Sequence, residues 1–138
     1  MNYLLDVNVL VAWGWADHAD HRRAGEWIRA MKAKRGIKLV TSVISELGFV
    51  RVSVQRSGGR LPVAEAAATL AGMLGSLGKR HVFLPDDCSV AGGLPDWSMA
   101  ASSTTDAHLV ALAEQHGCRL ATLDEGIPNA FLIPTHRV

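Results

Sequence analysis

The chain has only two cysteines, Cys88 and Cys118, in unrelated surroundings and without CxxC spacing. That excludes a disulfide framework, gives no support to a thiolate zinc site, and leaves small core thiols as the expected role. A charge bias of either sign is missing as well. The formal net charge is +1, so the chain as a whole is not tuned to a polyanion or to a basic partner. No apolar run approaches the roughly 20 residues that cross a bilayer, so no membrane association is expected. The first residues lack the basic, apolar and small-residue succession of a signal peptide, and a cytoplasmic location is expected. Internal repeats, linkers and low-complexity segments are absent too, which predicts a single domain over residues 1–138.

What remains is ordinary globular composition, 49% hydrophobic and 20% charged, in a chain long enough to bury a core unaided. Its periodicity alternates strand-like and helix-like pieces: a strand at 3–7, a helix near 18–35, a strand at 38–40 and a helix near 42–56. After the break "SGGRLP", Pro62 opens a helix to about 77, "HVFLP" reads as a strand, and a polar loop with Gly92, Gly93 and Pro95 follows. A helix over 105–116 stops at Gly117, "RLATL" is the next strand, and "FLIP" is a last edge strand. Alternation of this kind predicts an α/β fold, three layers α/β/α around a mostly parallel sheet, with ligands bound at the carboxyl ends of the strands.

Acidic residues fall at that edge. Asp6 interrupts the apolar "NYLLDVNVL", where a doubly buried strand has no use for a charge and no helix end or turn is evident to justify one. Asp124 follows "RLATL" in the same way. In "TSVISELGFVRVSV" the residues Val43, Leu47, Val50 and Val54 predict a buried stripe that Glu46 borders, and in "STTDAHLVALAEQHG" Asp106 lies on the face of Leu109 and Ala113. Each acid also has a plain structural role open to it. Asp106 suits the first turn of a helix, Glu46 a pairing with a cation, and Asp124 a turn in "DEGIP". Together, four inward acids without a basic residue on the same faces repel one another unless a cation neutralises them. Oxygen-only ligation suits Mg²⁺, with Mn²⁺ as the alternative, and the chemistry such a site serves is metal-assisted phosphodiester hydrolysis.

The blocks "LLDVNVL", "SVISELGFVRV" and "TTDAHLVALAEQHGCRLATLDEGI" resemble, in this order, a PIN domain, and specifically the VapC-type ribonuclease toxins of toxin–antitoxin pairs. The last block is the most specific, and the similarity spans nearly the whole chain. It implies that Asp6, Glu46, Asp106 and Asp124 form an acidic tetrad around Mg²⁺, that Asn8 supports the site, and that Thr105 occupies the position of a small hydroxyl residue before the third acid. It also implies a homodimer, cleavage of structured RNA such as transfer or ribosomal RNA, and neutralisation by a cognate antitoxin. The segment from Pro85 to Ser103 carries little of the similarity.

Other features have two readings. Half of the 14 Lys and Arg residues fall between Arg22 and Lys38, as a footprint for RNA phosphates or as a solvated helix face. "DHADH" offers Asp17, His18, Asp20 and His21 as transition-metal ligands or as surface residues at a helix start. Asp86 and Asp87 either join the acidic site or form a solvated turn. Trp13, Trp15, Trp27 and Trp97 are packing residues or base-stacking surfaces, with Trp97, in a polar loop, the one to test for stacking. A receiver domain is disfavoured because no lysine follows Lys79, and a dehalogenase-like phosphatase because Asn8 cannot act as the proton donor. The alternative from another class is a catalytically silent PIN-like module that only binds RNA or protein, whose mark would be lost acids.

Overall fold

The structure is a computed structural model that describes residues 1–135. Five strands form one sheet: β1 (Asn2–Leu5), β2 (Leu39–Thr41), β3 (His81–Phe83), β4 (Cys118–Thr122) and β5 (Phe131–Leu132). Their spatial order is β3-β2-β1-β4-β5 and every pairing is parallel, with Leu4 opposite Val40 on one side and Leu120 on the other. β1 is therefore central, which is why Leu4 and Leu5 are both fully buried although they point to opposite faces.

Those two residues sort the core into layers. Leu5, Leu39 and Ala121 face a cluster built from α1 (Val7–Gly14), α2 (His21–Lys32), α3 (Val43–Arg56) and α4 (Val63–Leu77), with Val9, Leu10, Ile28, Phe49 and Leu70 in it. Leu4, Val40 and Leu120 face α5 (Thr104–Gln115) through Leu109, Leu112 and Ala113. This is the expected three-layer α/β/α arrangement. Cys88 and Cys118 are unpaired, half-buried, and pack against the α5 cluster.

Three expectations are corrected. The first strand ends at Leu5 rather than at residue 7, and Asp6 is the N-cap of α1, a helix that the alternation did not reveal. An acid in "YLLDVNVL" thus has a helix end to serve after all. The predicted stripe on α3 is also displaced. Its buried residues are Ser45, Gly48, Phe49 and Ser53, whereas Val43 and Leu47 are 49% and 60% exposed. The reason is steric: small residues face α1 so that the two helices can approach closely. A Cβ at position 48 would fall within the isopropyl group of Val7, and one at Gly14 would stand 2.8 Å from the Phe49 ring and 2.9 Å from the Met73 sulfur. The helix predicted over 18–35 is shorter, His21–Lys32.

The segment between β3 and α5 is irregular apart from two short 3₁₀ turns, Val90–Gly92 and Ala101–Ser103. Two acid–histidine contacts tie it to α5: Asp86 to His108, and Asp87 to His116 at 2.6 Å.

Candidate active site

Parallel strands carry residues to one edge, and the junctions that follow β1 and β4 there hold Asp6 and Asp124. Asp6 is 3% exposed. Its Oδ1 accepts the Val7 N–H at 2.7 Å, the N-cap bond, and its Oδ2 accepts the Thr122 hydroxyl at 2.8 Å. Thr122, the last residue of β4, in turn accepts from the Asn8 side-chain amide and from the Asp124 N–H, both at 3.1 Å. The Asn8 Oδ1 accepts the Leu123 N–H at 3.2 Å. One hydroxyl therefore fixes Asp6, Asn8 and the backbone of Asp124 relative to one another. Asp124 keeps the turn role open to it as well, its Oδ1 accepting the Gly126 N–H at 2.8 Å.

α5 brings Asp106 to the same place from its first turn. Two of the three aspartates are perturbed there. Burial pushes the Asp6 carboxyl up to about 6; the bonds from Thr122 and Val7 oppose the rise, and the charges of Asp106 and Asp124 add to it. Asp106 is also raised, by partial burial and then by Asp124. No basic group offsets either rise. Asp6, Asn8, Asp106, His18, Val52 and Arg56 line one cavity of about 310 Å³.

Glu46 is placed differently. It is half-buried in the first turn of α3 and accepts the Thr41 hydroxyl at 2.6 Å. The Thr41 oxygen lies 2.7 Å from His81 Nε2; with its single hydrogen given to Glu46, Thr41 accepts from the ring, which fixes the histidine's Nε2–H tautomer. Burial lowers the His81 pKa and the Glu46 charge opposes that. Glu46 is not among the charges that raise Asp6 or Asp106. Thr105 is exposed one residue before Asp106 and makes no side-chain hydrogen bond among the described residues. Also among the described residues, no three His, Cys, Asp or Glu side chains converge closely enough to ligate an ion as they stand.

The remaining candidates disperse. Asp17 pairs with Arg56 at 3.2 Å, His18 Nδ1 accepts the Asp20 N–H at 3.0 Å, and His21 Nδ1 bonds the Ala12 carbonyl at 2.9 Å, so "DHADH" forms no ligand cluster. Asp86 and Asp87 belong to the contacts with α5 rather than to the acidic site. Trp27 stacks in the core with Tyr3 and Phe131, and Trp97 packs against the α5 cluster. Within the basic stretch, Arg23, Lys32 and Lys38 donate to the carbonyls of Ile133, Ser76 and Lys79, which makes them struts between elements. Thr122, the hub, was missed. Its signal was a lone hydroxyl at the end of an otherwise apolar strand, two residues before an acid.

Comparison with known proteins agrees with the fold and shows the family. The model of the PIN domain family matches residues 3–130. Ribonuclease VapC39 of Mycobacterium tuberculosis is 38% identical over 135 residues, covering 94% of each chain. Among solved structures, VapC20 of M. tuberculosis, a sarcin–ricin loop cleaving toxin, superposes with a TM-score of 0.66 at 17% identity over 96% of this chain and 99% of its own. VapBC2 from Rickettsia felis, bound to a DNA fragment from its promoter, gives 0.65 at 16% identity over 96% and 97%. The chain belongs to the PIN domain family and, within it, groups with the VapC ribonucleases. No helix of the described residues is long and apolar enough to cross a membrane.

Proposed function

We propose that this protein is an endoribonuclease that hydrolyses RNA phosphodiester bonds with Mg²⁺, or with Mn²⁺ in its place, and acts as the toxin of a type II toxin–antitoxin pair in the cytoplasm. The observation that carries the reading is electrostatic. Asp6, Asp106 and Asp124 come from three separate elements; the charges of Asp106 and Asp124 raise the proton affinity of Asp6, that of Asp124 raises Asp106, and no positive group relieves either. Such a set is unfavourable alone and favourable around a hard cation, and all of its donors are oxygens. Mg²⁺ needs only a few carboxylates because it keeps several waters, so a loose cluster suits it. Asp6, Asp106 and Asp124 would hold the ion, with Glu46 as the fourth acid of the tetrad; Asn8 and Thr105 are the supporting residues. When bound, the ion supplies Lewis acidity for phosphodiester hydrolysis.

The chain's own residues supply the rest. The N-cap bond and Thr122 lock the Asp6 carboxylate in one orientation, Asn8 clamps the end of β4 against the start of α1, and the 310 Å³ cavity leaves room for a backbone phosphate beside the acids. Structured RNA, transfer or ribosomal, is the proposed substrate, a reading supported by the solved relative that cleaves the sarcin–ricin loop. The proposed partners are a cognate antitoxin and a second copy of the chain; the apolar residues Val43 and Leu47, left exposed on α3, support a homodimer. The silent-module alternative finds no support, since all four acids are present.

The test is Asp106→Asn. Cleavage of RNA should be lost, the metal-free variant should be as stable as the parent or more so, and the Mg²⁺-induced rise in Tm should shrink. If Asp106 is only structural, the amide costs about 1 kcal/mol with or without Mg²⁺, and cleavage falls only as far as the folded fraction does.

A further inference from the structure

The cavity beside Asp6 has a component that the acids do not use. Arg56, the last residue of α3, reaches into it, and so does His18. The Arg56 guanidinium carbon lies 4.9 Å from the centroid of the Trp15 ring. That ring is itself fixed, because its indole N–H donates to Ser53 Oγ at 3.0 Å from the preceding turn of α3. The arginine is thus held over an aromatic face that its own helix anchors.

Among the described residues its one ion pair is with Asp17, at 3.2 Å, and the Asp17 side chain is 74% exposed. A carboxylate so solvated offsets little of the arginine's charge. Arg56 does not serve the acids either, since its charge is not among those that set Asp6 or Asp106. A cation held in an acidic cavity without neutralising the acids has its charge available to a ligand.

His18 complements it. Its Nδ1 accepts the backbone N–H of Asp20 at 3.0 Å, so the neutral ring carries its hydrogen on Nε2. The backbone bond from His18 N–H to the Trp15 carbonyl, also 3.0 Å, holds the same turn. A planar fork of donors and a fixed single donor therefore meet one cavity whose remaining polar lining is the carboxylates of Asp6 and Asp106 and the amide of Asn8. An RNA strand entering beside the carboxylates of Asp6 and Asp106 brings phosphates that those carboxylates repel, and a fork suits two oxygens of one phosphate.

We propose that Arg56 and His18 form a phosphate subsite, seating a phosphodiester of the RNA next to the one that is cleaved. The inference rests on the ribonuclease reading above and adds the residues that place the strand. Arg56 provides charge and a bidentate contact, and His18 a single hydrogen bond.

The probe is a short RNA hairpin, titrated in chelator so that it is bound and not cut, across a salt series. Arg56→Gln should weaken binding by about tenfold and flatten the salt dependence by about 1 in slope. Arg56→Lys should keep the slope and lose part of the affinity. His18→Ala should weaken binding without changing the slope, and His18→Gln, which retains a donor, should recover it. In Mg²⁺, Arg56→Gln should raise KM and leave kcat close to the parent's. Arg60→Gln, just beyond the helix and outside the cavity, is the charge control and should bind as the parent does. The subsite is overturned if Arg56→Gln binds the hairpin with the parent's affinity and slope, or if it lowers kcat with KM unchanged. A parent that neither binds nor cleaves RNA overturns the ribonuclease reading and the subsite together, and is distinguished from failure of the subsite alone by being seen before any variant is compared.

Discussion

Replacing Asp6 with asparagine should change the sign of its effect on stability with pH. In the folded protein the Asp6 carboxyl holds its proton to about pH 6, whereas in the unfolded chain it releases it near the ordinary 3.8. Between those values the folded state binds more protons, so stability falls as pH rises and levels off above about 6. The fall is about 3 kcal/mol, from the difference between the two pKa values at 1.36 kcal/mol per pH unit. Asparagine never ionises and so avoids this loss. Its Oδ1 can still accept the N-cap bond from Val7, but its amide meets the Thr122 hydroxyl, which must turn its hydrogen towards Asn8 Oδ1, 3.5 Å away. That rearrangement costs about 1 kcal/mol. In chelator, Asp6→Asn should therefore be about 1 kcal/mol less stable than the parent near pH 4 and about 2 kcal/mol more stable at pH 7, with the two profiles crossing in between. Urea unfolding of both proteins across this range measures the difference directly and cancels the titration of the groups that do not interact with Asp6. A difference that stays constant with pH would refute the account of Asp6 as a carboxylate strained by burial and by its acidic neighbours.

Two further outcomes follow from the packing and from the hub. Gly48→Ala should destabilise the protein by about 1–3 kcal/mol in thermal or chemical unfolding, because the new methyl group must push Val7, and with it the capping turn that carries Asp6; RNA cleavage should drop more than the folded fraction does. Thr122→Val keeps the side-chain shape but removes the hydroxyl that Asp6, Asn8 and Asp124 share, which should cost about 1–3 kcal/mol at neutral pH. Because the Thr122 bond lowers the Asp6 pKa, its loss should also carry the falling part of the stability profile to higher pH, read in the same urea series.

The fold class, the five strands and four of the five long helices were legible because their periodicities switch cleanly and glycine or proline marks their ends, as Gly117 and Pro62 do. α1 was not. Val9, Leu10, Val11 and Ala12 are buried in succession, since the helix is enclosed by β1 and by α2, α3 and α4, so the 3.6-residue period that would betray a helix is erased. The displaced stripe of α3 has the opposite cause: its buried face is chosen by what is small, Ser45, Gly48 and Ser53, so the most apolar residues do not mark it. Among the site residues, Asp6 and Asp124 were found from strand ends and Asp106 from its helical face. Thr122 and Arg56 act through partners remote in sequence, Asp6 and Asn8 for the one and Trp15 and Asp17 for the other, and folding brings those partners together.

The bond between Asp6 and Thr122 joins positions 116 residues apart, and β4 enters the sheet directly beside β1. A strand placed at the centre of a parallel sheet cannot find its second neighbour until almost all of the intervening chain exists, and such non-local pairing is slow to form. During synthesis the first acid therefore waits on the ribosome for a hydroxyl and two further acids that have not yet been translated. The acidic edge of the sheet is thus complete only once the chain has lengthened past β4, so the candidate site is assembled late in synthesis.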